Sequence, residues 1–303
     1  MNEEQRDLDR VMRQIGAIVL GKEKQIRYCL SCLLARGHLL LEDIPGVGKT
    51  TLAHALAKSL GLEFQRIQFT SDLLPADVLG VSIFDRESGQ FRFQRGPIFS
   101  QLVLADEINR APPKAQSALL EAMEEQQITL DGRTLKLPDP FFVVATQNPQ
   151  DQAGTFPLPE SQLDRFLMRV HLGFPDRQME RELLGGAARR DLIDALRPAL
   201  NPQRLRALQD RVQTIHASDA LLDYVQALVA HTRLNSGFKH GLSPRAAIAL
   251  LRAARAWTLL DGRDAVLPED VQAVLEAVVG HRIGTREDPV PASTRLLEAV
   301  AIP

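Results

Sequence analysis

The chain has 303 residues, 45% hydrophobic and 24% charged, with a formal net charge of −2. These values describe an ordinary soluble globular protein with enough chain for two domains and a sizeable core. The charge supplies no basic field for nucleic acid, and no apolar run approaches the ~20 residues a membrane span needs.

The opening Met1–Asp7 is polar and acidic. It does not read as a signal peptide, so a cytoplasmic location is expected. An amphipathic helix over about Leu8–Val19 is broken at Val19-Leu20-Gly21, and a second helix runs over about Lys22–Arg36. That second helix carries Cys29 and Cys32, the only cysteines. Their apolar setting, Ile26–Leu34, reads as a buried helix with two core thiols, not a redox turn or half of a zinc site. The seven histidines show no metal-ligand spacing, and His54 reads as a packing residue.

Leu39–Glu42 is the first buried strand. It runs into Pro45-Gly46-Val47-Gly48-Lys49-Thr50 and then a helix over Thr50–Leu60, closed by Gly61. A strand that turns through glycines into a helix leaves several backbone N–H groups unpaired beside the positive end of the helix dipole. Together they form a cradle for phosphate. Lys49 can reach the β- and γ-phosphates, and the Thr50 hydroxyl can ligate Mg²⁺. The chain is therefore expected to bind a nucleoside triphosphate. Where the phosphate-loop pattern asks for a glycine five residues before Gly48, this chain has Asp43.

Glu63–Phe69 is the second strand. Two hairpins are signalled farther on, at about 80–94 around Asp85–Gly89 and at 127–138 around Asp131-Gly132. Between them lie the strand Leu102–Asp106 and the helix Lys114–Glu125. Phe141–Thr146 and Leu167–Leu172 are further buried strands. Strands alternating with helices imply an α/β fold with a doubly wound parallel sheet. After Gly173-Phe174-Pro175 only helical periodicity remains, over Arg177–Leu184, Pro202–Thr214, Ser218–Leu234, Pro244–Leu260 and Pro268–Val279. The boundary divides an α/β domain, 1–175, from a linker helix and smaller all-α lid, 176–303.

The strand ending in Asp106-Glu107 delivers adjacent carboxylates to the sheet edge where ligands bind in open α/β folds. Asp106 is placed to hold Mg²⁺ through water and Glu107 to act as general base on the attacking water. Asn148, in Thr146-Gln147-Asn148-Pro149, ends the neighbouring strand and can hydrogen-bond the γ-phosphate and that water. Arg165 precedes the last strand, and Arg245 follows the helix-start signal Ser243-Pro244.

Taken together, Leu39–Leu52, Ala105–Lys114, Ala145–Pro149 and Leu158–Phe166 make the chain resemble the MoxR family of AAA+ ATPases over nearly its whole length. In that family Asp at the first-glycine position is an accepted variant. The resemblance implies that Asp43, Pro45, Gly46, Val47, Gly48, Lys49, Thr50 and Thr51 hold ATP, with Val19, Leu20 and Gly21 packing on adenine. Lys49 and Thr50 match Walker A, Asp106 and Glu107 match Walker B, and Thr50 and Asp106 serve Mg²⁺. Asn148 matches sensor 1, Arg165 an arginine finger entering the neighbouring subunit's site, and Arg245 sensor 2 in the lid. The hairpins resemble the two pore-lining inserts of this AAA+ branch.

A homo-oligomeric ring, most often a hexamer, is then expected to remodel or assemble a client complex. A partner with a von Willebrand factor A-type domain is implied. Hydrolysis would shift the lid against the α/β domain through Arg245. The alternatives are a chelatase-type motor subunit, a nucleic-acid motor, or a slowly hydrolysing scaffold. Arg86, Arg92 and Arg95 on the first hairpin adjoin Asp85 and Glu87, which does not favour nucleic acid.

Overall fold

A computed structural model of the chain describes residues 2–87, 89–148, 154–186, 189–234, 237–283 and 291–302. Ser88 in the first hairpin turn and Pro149 after Asn148 lie outside the described residues.

Helix α1 (Glu3–Gly16) begins earlier than its apolar periodicity. The Asn2 side chain accepts from the Gln5 N–H at 2.8 Å and caps it, with Glu3 and Glu4 in the first turn. Helix α2 (Glu23–Leu34) follows, with Cys29 and Cys32 both buried. Then come β1 (Leu39–Glu42), α3 (Lys49–Ser59), β2 (Phe64–Gln68) and α4 (Pro75–Leu79). The first hairpin is β3 (Gly80–Asp85) with β4 (Gln90–Arg95). After β5 (Leu102–Asp106) and α5 (Pro113–Glu125), β6 (Gln127–Leu130) and β7 (Arg133–Lys136) form the second hairpin. The Ser82 hydroxyl donates to Asp131 at 2.6 Å and ties the two hairpins together. Strand β8 (Phe142–Gln147), the short α6 (Glu160–Leu163) and β9 (Met168–Val170) complete the α/β part.

The main sheet has the order β2-β5-β8-β1-β9 with every pairing parallel. Parallel neighbours bring all strand C-termini to one edge, so Glu42, Gln68, Asp106 and Gln147 end side by side. Alternation splits the strand residues between two cores. Leu40, Val103, Ala105, Val143 and Ala145 face α5. Leu39, Leu41, Leu104, Val144 and Met168 face α1, α2 and α3.

The helical part contains α7 (Arg177–Gly185), α8 (Arg189–Asp194), α9 (Pro202–Gln213), α10 (Asp219–Leu234), α11 (Pro244–Leu260), α12 (Pro268–Val279) and α13 (Ala292–Ala299). The second core does not stop at residue 175: it continues through α2 into Leu205, Leu250, Ala253, Val274 and Val278. Helices α2 and α11 run antiparallel. Tyr28 meets Trp257 with ring centroids 5.3 Å apart, and the Arg27 guanidinium lies 4.0 Å from the Trp257 centroid. This packing decides where the start of α11 lies.

Candidate nucleotide site and an arginine pair

Gly46 (φ +88°) and Gly48 (φ +96°) both take left-handed backbone conformations, Gly48 as the residue before α3. A Cβ built on either meets nothing within 4 Å, so conformation and not crowding demands glycine. Among the described residues no hydrogen bond reaches the backbone N–H groups of Gly46 through Thr51; the first satisfied amide is Leu52, which donates to the Gly48 carbonyl at 2.9 Å. A row of unpaired amides at a helix N-terminus is a ready anion site.

Lys49 is buried at the head of α3. Its ammonium donates to the carbonyls of Asp43 and Ile44 (3.2 Å) and to Asn148 Oδ1 at 3.1 Å. Burial pulls its pKa below the usual lysine range, while Asp43, Asp106 and Glu107 act to hold the charge. The Asp43 carboxylate is turned aside: one oxygen accepts from its neighbour Ile44 N–H at 2.9 Å and the other from Gly173 N–H at 2.6 Å. The acidic residue at the first-glycine position thus braces the chain leaving β9.

At the carboxyl edge, Asp106 Oδ1 accepts from the Thr146 hydroxyl at 2.6 Å. Its Oδ2 accepts from Arg66 Nη2 at 2.7 Å and Nε at 3.0 Å, with the Thr50 hydroxyl at 3.4 Å. Glu107 is left-handed (φ +57°), a conformation that costs a non-glycine residue on the order of 1–3 kcal/mol and is found at functional sites. Its N–H is fixed by Thr146 Oγ1 at 2.8 Å. Its carboxylate accepts from Asn148 Nδ2 (3.1 Å) and Gln68 Nε2 (3.1 Å) and pairs with Arg110 Nε (3.2 Å). Asn148 therefore bridges Lys49 and Glu107.

The donor set suits a triphosphate with a hard divalent cation. Six free amides and an ammonium face anionic oxygen, and Thr50 and Asp106 offer oxygen ligands. Among the described residues no cluster of three or more His, Cys, Asp or Glu could hold a metal by itself. A cation here would draw its other ligands from phosphate and water, as Mg²⁺ does.

Val19, Leu20 and Gly21 form the turn between α1 and α2. They sit against the first turn of α7 and the segment before it: a Cβ built on Gly21 would lie 2.9 Å from Met179 Cγ, and Lys22 Nζ donates to the Phe174 carbonyl at 2.8 Å.

Arg165 and Arg245 are brought together, but not at this site. Both reach the carboxylate of Glu124, near the C-terminal end of α5: Arg165 Nη2 lies 2.9 Å from Oε2, and Arg245 Nη2 2.5 Å from Oε1. They line a cavity of about 480 Å³ with Gly37, His38 and Leu167, residues at the amino edge of the sheet. The phosphate loop leaves the carboxyl edge, a strand length away, about 13 Å for the four residues of β1. A sensor role for Arg245 within its own subunit, and lid motion transmitted through it to its own nucleotide, do not fit this placement. Residues that motif reading left without a role include Arg66, Gln68 and Glu124. Charged and amide side chains inside β2 were the only signal for the first two, and Glu124 gave none.

Comparison with known proteins gives a consistent result. The family model described as "ATPase family associated with various cellular activities (AAA)" matches residues 38–168, and the AAA lid domain model matches 230–299. YeaC of Bacillus subtilis (strain 168) is 47% identical over 91% of this chain and 86% of its own length. Chaperone MoxR1 of Mycobacterium tuberculosis (strain ATCC 25618 / H37Rv) is 38% identical over 98% of this chain and 82% of its own. A crystal structure titled as a putative ATPase from Cytophaga hutchinsonii superposes with a TM-score of 0.88 at 36% identity, covering 99% of this chain and 96% of that one. Among the described residues no helix is long and apolar enough to cross a membrane.

Proposed function

The chain belongs to the MoxR family of AAA+ ATPases, and from that premise we propose that it hydrolyses ATP at sites shared between adjoining subunits of a homo-oligomeric ring, a hexamer in the simplest case. The observation that carries the reading is the separation of two half-sites. The phosphate loop, Lys49, Asp106, Glu107 and Asn148 sit at one edge of the sheet, and the two arginines sit at the other.

In this reading the amides of Gly46–Thr51 and the Lys49 ammonium bind the phosphates. Glu107 takes the proton of the attacking water, and Asn148 fixes that carboxylate relative to Lys49. Thr50 and Asp106 are the residues that would hold Mg²⁺, which when bound offsets charge on the β- and γ-phosphates. Arg165 and Arg245 of the neighbouring subunit stabilise charge developing on the γ-phosphate oxygens, a contribution of roughly 10³–10⁵ in rate for an arginine supplied in trans. Family membership further supports use of the energy on a client protein, with a von Willebrand factor A-domain protein as expected adapter and the cytoplasm as expected location.

The test is to mix two inactive variants. An Arg165→Ala subunit keeps an intact phosphate loop, and a Lys49→Ala subunit keeps intact arginines. Co-assembled, they should recover turnover that neither has alone. Assembled mixtures that stay inactive at every ratio would refute the shared site.

A further inference from the structure

Several arginines line the cavity at the amino edge, and they are not alike. Arg282 is almost fully buried and saturated, donating to Asp164 and to the carbonyls of Phe166, Leu167 and Val278. Arg36 is committed to Asp210 at 2.8 Å. Arg165 and Arg245 differ: among the described residues each has one partner, and it is the same one, Glu124. Each guanidinium has five N–H donors, so most of those on this pair remain available to an incoming anion.

We propose that Glu124 is the positioning residue for the arginine pair, one carboxylate that holds Arg165 and Arg245 side by side so that both meet the phosphate of the neighbouring subunit's ATP. This rests on the shared-site reading above. Three separate elements converge at this point. Glu124 is in the last turn of α5, Arg165 precedes β9, and Arg245 is in the first turn of α11. Two like charges on flexible stems would splay apart without an anion between them, and the carboxylate gives each a separate oxygen.

The location also links the pair to the subunit's own nucleotide site. Helix α5 starts just after Glu107 and the Asn109 that donates to the Asn148 carbonyl at 3.2 Å, and it spans about 17 Å to Glu124. Gln116 pins its first half by donating to the carbonyls of Ile108, Ala111 and Phe156. Gln126, left-handed at φ +51°, then turns the chain into the second hairpin. Glu124 therefore stands between the hairpin and the arginines offered to the next site.

The experiment uses Glu124→Gln in the full-length chain. An amide has one acceptor oxygen and a donor NH₂, so it can hold one arginine but opposes the other. Rings of Glu124→Gln should bind ATP as the wild type does while turnover falls roughly 10- to 100-fold, the range expected when a catalytic group is displaced by about 1 Å. Mixing with Lys49→Ala subunits should then restore turnover, because the intact phosphate loops of Glu124→Gln are served by intact arginines. A role confined to α5 folding or to the subunit's own site would not be rescued in this way. The Arg165→Ala and Lys49→Ala mixture runs alongside. If it recovers and the Glu124→Gln mixture does not, the positioning role is overturned while the shared site stands. If neither recovers, both fall. Wild-type turnover in Glu124→Gln overturns the role as well. Should Gln prevent assembly, Glu124→Asp, which keeps the charge but is one methylene too short to hold both arginines, goes through the same mixing with the same outcomes.

Discussion

His38, at the amino end of β1, makes the sheet sensitive to acid. It is 7% exposed, its Nδ1 accepts from Val143 N–H at 3.0 Å, and its Nε2 lies 3.2 Å from the Met123 carbonyl. With Nδ1 accepting, the ring proton must be on Nε2, donated to Met123. A second proton would point an N–H at the N–H of Val143. Burial already disfavours the charged ring, and the pKa falls from 6.5 to about 4 despite the Met123 carbonyl. The unfolded chain therefore binds the extra proton first as the pH falls. The stabilisation is complete above pH 6.5 and lost as the pH drops toward 4. At 1.36 kcal/mol per pKa unit the full contribution is about 3 kcal/mol, of which about 2 is gone by pH 5. Buried His281 beside Arg282 shifts in the same direction, so the wild-type curve carries both groups. A comparison isolates His38: urea unfolding of the nucleotide-free chain at pH 7 and pH 5, wild type against His38→Gln. The wild type should lose about 2 kcal/mol more than the variant over that interval. Equal losses would show that His38 is not held neutral by Val143 and Met123.

Two further outcomes concern the nucleotide half-site. Glu107→Gln should retain ATP through gel filtration while turnover stops, with Lys49→Ala as the non-binding control; steady hydrolysis by Glu107→Gln would remove Glu107 from the role of base. Arg66 Nη2 occupies Asp106 Oδ2, the oxygen that the proposed site offers to Mg²⁺. Arg66→Gln should therefore lower the Mg²⁺ concentration for half-maximal binding of a fluorescent ATP analogue roughly two- to fivefold, the scale of a half-exposed ion pair. No change, or a rise, would mean that the Arg66–Asp106 contact does not compete with the metal.

The parts of the site legible in the sequence are those where chemistry and chain order coincide. A phosphate cradle needs glycine, lysine and a hydroxyl in one local stretch, and Gly46–Thr50 supplies them. Asp106 and Glu107 follow an apolar run that can only be a buried strand. A helix start was readable where a capping side chain stood next to proline, at Ser243-Pro244, and the structure has Ser243 as the N-cap of α11. Helix α4 was not readable: it has five residues, too few to show a period, and it depends on Asp77 reaching back to the Leu74 N–H at 2.8 Å. Arg66 and Gln68 meet Asp106 and Glu107 only because β2 pairs with β5 with Gln68 opposite Asp106, and the order of strands is not written in either strand.

Arg245 is the instructive case, because its residue type and helix position were both foreseen and its address was not. The address follows from the way α11 is buried. Ala246, Leu250, Ala253 and Trp257 form its apolar face, and α2 is the helix against which Trp257 closes on Tyr28 and Arg27. Because α2 and α11 are antiparallel, the start of α11 lies near the end of α2, and three residues beyond Leu34 the chain reaches Gly37 and His38 at the amino end of β1. A Cβ built on Gly37 would come within 2.3 Å of Leu167 Cδ2, so this junction admits no bulk. The pairing of α2 with α11 therefore fixes Arg245 on the edge opposite its own phosphate loop. Under the shared-site proposal the nucleotide it would serve from there is that of an adjoining subunit, and hydrolysis would then be a property of the assembly and not of the single chain.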